Sequence, residues 1–96
     1  MISLDQRYKK DPSMVSREIA GEAILVPIRQ NVGDLESIYT LNETAARAWE
    51  LIDGQNTVGE IRDVIVAEFV VDEDAAEEDL VELLRELESI TAILKI

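Results

Sequence analysis

The chain of 96 residues contains no cysteine and no histidine. The first absence removes disulfide frameworks and thiolate chemistry, and the two together remove the ligands on which most zinc sites are built. Without histidine, general acid–base work near neutral pH would fall to a carboxylate, Lys or Tyr with a displaced pKa. A serine nucleophile would likewise lack its usual base. Glycine occurs only at positions 21, 33, 54 and 59, which builds neither a phosphate-cradling P-loop nor a dinucleotide fingerprint. No stretch approaches the roughly 20 apolar residues of a membrane span, and Met1–Lys10 has no signal-peptide run. The expectation is a cytoplasmic protein without catalytic equipment, metal or cofactor.

Positive charge is also scarce. Nine basic residues face 21 acidic ones, giving a net charge of −12 and a pI near 4.2. Phosphate backbones and anionic membranes are bound by cations, so neither nucleic acid nor membrane is an expected partner. What the chain has in quantity is apolar residues, 47% against 31% charged, a globular composition that at this length supports one domain with a modest core.

Residues 1–13 mix charges without periodicity and end in Lys9-Lys10-Asp11-Pro12-Ser13. They read as a flexible N-terminal arm, leaving 14–96 as the domain. Strand patterning follows: Met14 to Ile19, a turn at Ala20-Gly21-Glu22, and the β-rich run Ala23-Ile24-Leu25-Val26 closed by Pro27. A third strand is expected over about Leu35 to Leu41, with Leu35, Ser37, Tyr39 and Leu41 on one face. The product is a small three-stranded antiparallel sheet ahead of three helices, an α+β arrangement.

The first helix is bracketed by Asn42 as N-cap and Gly54 as a left-handed stop, and places Ala45, Ala48, Trp49 and Ile52 on one face. A second begins at a capping box, Thr57-Val58-Gly59-Glu60, in which the Thr57 and Glu60 side chains each satisfy the other residue's amide, and runs to Phe69. Two short helices joined by Asp53-Gly54-Gln55-Asn56 form a helix-turn-helix. The third helix, about Asp74 to Ser89, opens on acids that suit the positive end of its dipole. Counted as a calcium loop from Asp72, that run has Glu77 where glycine is needed and Leu83 where a bidentate glutamate is needed. Ala76, Leu80, Leu83, Leu84 and Leu87 form its core stripe, with Val81, Glu77 and Glu88 to one side and Ile90 with Asp79 on the other. The apolar arc is wider than core contact requires, and its surplus edge is a candidate groove wall.

The order of a strand, Leu41-Asn42-Glu43-Thr44-Ala45-Ala46, Trp49-Glu50-Leu51, Asp53-Gly54, Thr57-Val58-Gly59-Glu60-Ile61, Phe69, and then Asp79-Leu80 with Leu83, Leu84 and Leu87 resembles the PqqD-like family. The resemblance implies a winged helix-turn-helix that acts as a RiPP recognition element, a peptide chaperone holding the leader segment of a ribosomally made precursor for a modifying enzyme, commonly a radical SAM protein. It implies that the leader adds as a strand to the third strand's edge, beside the last helix. The peptide-binding residues expected on that basis are Ser37, Ile38, Tyr39 and Thr40 for backbone pairing, with Glu77, Val81, Leu84 and Glu88 as groove wall. Members serving coenzyme PQQ biosynthesis tend to carry an acid after the proline of the second strand, where this chain has Arg29, so another peptide pathway is favoured. Relatives also tend to have glycine after the last helix, and this chain has none. The conformation of residues 90–96, and whether the protein is a monomer or a homodimer, stay open. The alternatives are an acidic protein-interaction module, a DNA-binding regulator or a carrier protein. The second helix bears only Arg62 against Glu60, Asp63 and Glu68, which disfavours DNA. No Asp-Ser pair opens a helix, which disfavours a carrier.

Overall fold

A computed structural model describes residues 2–28 and 38–96. In chain order it contains strands β1 (Tyr8–Lys10), β2 (Met14–Ile19), β3 (Glu22–Pro27) and β4 (Tyr39–Leu41), helices α1 (Glu43–Leu51), α2 (Val58–Phe69) and α3 (Glu73–Ser89), and strand β5 (Ile93–Lys95). The expected three-stranded antiparallel sheet is present in the order β2-β3-β4, followed by the three helices. Ile19 pairs with Glu22 across a two-residue turn, and both Ala20 (φ 53) and Gly21 (φ 83) are left-handed, the type I′ geometry that matches strand twist. Pairing of Ala23 with Leu41 and Leu25 with Tyr39 puts these four side chains on one face, where Ala23, Leu25 and Leu41 are fully buried. Residues 35–37 of the expected third strand lie outside the described residues.

The caps are where local chemistry puts them. Asn42 accepts from the Ala45 amide at 2.9 Å, Thr57 and Glu60 exchange the two bonds of a capping box, and Asp72 accepts from the Ala75 amide. The end of α1 differs from expectation, because Ile52 is its C-cap and the Asn56 side chain donates to the Leu51 carbonyl. Gly54 is left-handed (φ 82), but within the following turn, where its amide donates to the Tyr8 carbonyl at 2.9 Å.

That contact shows that the N-terminal segment is part of the fold, in place of the flexible arm expected over residues 1–13. Val58 and Gly59 donate to the carbonyls of Gln6 and Leu4, and β1 pairs antiparallel with β5. Tyr8 is 1% exposed and its hydroxyl donates to Glu88 of α3. Lys10 lies 5.1 Å from the centre of the Trp49 ring, and burial draws its pKa down against the opposing pull of Glu50 and Asp53. The last residues, left open by the sequence, form a Schellman turn and then β5. Ala92 donates to the Leu87 carbonyl and Thr91 to the Glu88 carbonyl, with Thr91 (φ 59) in the position that glycine ordinarily takes.

A second β-branched residue is held left-handed at the end of α2, where Val70 (φ 51) is 90% exposed. Its Cβ gives crowding without burial in return. Val70→Gly should therefore raise stability by about 0.5–1 kcal/mol, the relief of crowding less the entropy that glycine adds to the unfolded chain. A lower urea midpoint for the variant would contradict this.

Candidate functional site

β4 is an edge of its sheet, and no other strand pairs with its outer side among the described residues. Edge backbone of this kind offers amides and carbonyls to an incoming chain. Beside that edge runs a groove of about 500 Å³, bounded by β4 and α1 on one side and by α3 on the other. Its floor is apolar, with Leu41, Ala45, Ala48, Ile65, Leu80 and Leu83. Its α3 wall carries Asp79, Glu82 and Glu86. The Tyr39 hydroxyl donates to Glu86, so the strand and the helix meet across the groove.

The strand half of the sequence expectation falls here: Tyr39 and Thr40 line the groove, and Ile38, 52% exposed, immediately precedes β4. Ser37 and Arg29 lie outside the described residues. The helix half is displaced to the opposite side of α3. Glu77 accepts from the Arg62 guanidinium at 2.6 Å, Glu88 accepts from Tyr8, Leu84 is 0% exposed within the core, and half-buried Val81 shares their side of the helix. None of these four lines the groove. The reason is what packs there: Arg62 of α2 and Tyr8 of β1 cover that side of α3, and the edge that stays open is the one marked by Asp79, together with Glu82, Leu83 and Glu86. The sequence signal for it was present, since Asp79 and Ile90 stand opposite Val81 on the wheel.

Two arginines, Arg62 and Arg47, are engaged away from this groove. Arg62 contacts Asp63, Glu73 and Glu77, tying α2 to the start of α3, and its pKa is raised chiefly by the bond to Glu77. This occupies the single basic residue of the helix that would enter a DNA groove. Arg47 of α1 grips Glu68 of α2 through Nε and Nη2, which holds the Glu68 carboxyl below its usual range. Among the described residues, no group of His, Cys, Asp or Glu is arranged to hold a metal ion, and no helix is long and apolar enough to cross a membrane.

Comparison with known proteins agrees with the fold. The structure "TbiB1 in Complex with the TbiA(beta) Leader Peptide" superposes with a TM-score of 0.74 at 29% sequence identity, covering 88% of this chain and 93% of that one. No curated protein matches the sequence. The family described as "Coenzyme PQQ synthesis protein D (PqqD)" matches residues 22–91, from the start of β3 through the end of α3, and the chain belongs to that family.

Proposed function

We propose that this protein is a non-catalytic peptide chaperone that captures the leader segment of a ribosomally made precursor by strand addition and presents it to a modifying enzyme, such as a radical SAM protein. The observation that carries the reading is the unpaired outer edge of β4 set against an apolar-floored groove on α3. Backbone pairing to an edge supplies affinity that is tolerant of sequence, while a groove alongside selects the alternate side chains that point into it. The likeness to a protein solved in complex with a leader peptide supports leader binding. So does the family assignment.

Presentation requires a second surface, and the outward face of the β2-β3-β4 sheet suits it. Val15, Val26 and Ile38 lie on that face, all exposed, with Ile19 at its hairpin end. A β-branched apolar face left open on the strands that would accept the leader is placed to bring an enzyme against the bound chain.

Titration of the isotope-labelled protein by NMR with candidate leader peptides tests the reading. Shifts are expected at residues 38–41 and along Asp79 to Glu86, with little change at Glu77, Val81 and Glu88. Shifts centred on the latter three residues, or none at any site, would count against strand addition at β4.

A further inference from the structure

The groove carries three carboxylates on its α3 wall, and neither Lys nor Arg is among its lining residues. None of Asp79, Glu82 and Glu86 has a cationic partner among the described residues, whereas Glu50, Glu68, Asp63, Glu73 and Glu77 are all paired. An unneutralised row beside a low-dielectric floor raises the local concentration of cations. The spacing is also specific. Glu82 and Glu86 are one helical turn apart, a rise of about 6 Å, and alternate residues of an extended chain repeat every 6.6–6.8 Å or so. A peptide strand added to β4 and running along α3 would thus bring successive groove-facing side chains level with successive α3 carboxylates.

We propose that the groove selects a cationic leader segment, an extended chain with an apolar anchor over Ile65, Leu80 and Leu83 and a Lys or Arg two residues along the strand, facing Glu82 and Glu86. The inference rests on the leader-binding reading and adds a sequence preference to it. The apolar floor supplies affinity and the carboxylates set register, because a one-residue slip turns the cation away from the wall and out to solvent.

The test is selection of a randomised library of linear peptides, displayed on phage, against the full chain, against a Glu82→Gln/Glu86→Gln variant, and against a Glu22→Gln/Glu78→Gln variant with the same net charge. All four residues are exposed, and Gln preserves helix propensity in α3. The full chain should enrich peptides with Lys or Arg two positions from an apolar residue, by about two- to fivefold per cation, the range of a screened ion pair. That preference should vanish for Glu82→Gln/Glu86→Gln and survive in the charge-matched control. Equal loss in both variants would assign the preference to overall charge and overturn the inference, as would its persistence in both. Enrichment of apolar extended peptides without basic residues would overturn the inference and leave leader binding standing. Failure to enrich any extended peptide would overturn strand addition itself, and the inference with it.

Discussion

Replacing Tyr8 with alanine is expected to remove about 3–5 kcal/mol of folding free energy, the cost of emptying an aromatic-sized space in a packed core. A chain of this length is expected to hold only about 5–14 kcal/mol in total, so one residue near the N-terminus would account for about a fifth or more of the stability. The size follows from what Tyr8 joins. It is 1% exposed, pairs with Lys95 across the β1–β5 ladder, accepts the Gly54 amide on its carbonyl, and donates its hydroxyl to Glu88. Urea unfolding followed by the fluorescence of Trp49 measures the loss, and a cost below about 1 kcal/mol would show that the segment contributes little, as an arm would. The phenol supplies a second reading. Burial first, and then the bond and charge of Glu88, push its pKa from 10.0 up to about 12. A raised folded-state pKa means that this stabilisation is complete below pH 10 and is lost as pH climbs through about 12. Tyr8→Phe keeps the ring and should abolish that alkaline loss while retaining most of the packing.

Tyr8 also shows where the sequence stops being informative. Features decided within a few residues were legible: Asn42 before Glu43, the Thr57 and Glu60 box, and the acids opening α3 each depend on groups three or four positions apart. β1 and β5 are three residues each and meet across more than eighty positions of chain. Strands so short carry no usable alternation, and Lys9-Lys10 beside Asp11-Pro12 has the composition of a tail. Pairing with Gly54 and Ile96 exists only once the helices are assembled.

The helix half of the expected site stands away from the groove for a related reason. On the wheel, α3 offered two flanks to a core stripe of Ala76, Leu80, Leu83, Leu84 and Leu87, of which all but the partly buried Leu83 are buried. One flank held Glu77, Val81 and Glu88, the other Asp79 and Ile90, and periodicity could not rank them because the choice depends on what covers each. Arg62 and Tyr8 cover the first. The strand side was easier, because β4 runs directly into the Asn42 cap and its position follows from that of α1.

Proline at Ile38 is expected to weaken leader binding by on the order of tenfold or more, which corresponds to about 1.4 kcal/mol, the net value of one or two hydrogen bonds. Ile38 is 52% exposed and sits one residue before β4, so its side chain adds little to the core and the fold should tolerate the change. Proline removes an amide donor there and puts a ring where the first rung of an added strand would form. Ile38→Thr separates the two contributions, since it trims the side chain but keeps the amide and the strand preference. Calorimetric titration with a leader peptide that the parent protein binds should therefore find Ile38→Thr within about twofold of the parent protein, well under one hydrogen bond's worth, and Ile38→Pro far weaker at an unchanged urea midpoint. Equal losses in the two variants would mean that the peptide reads the isoleucine side chain, and the site would then lie on the outer sheet face with Val26. Unchanged affinity in both would remove the β4 edge from the mechanism and leave the α3 groove to bind its peptide through side chains alone.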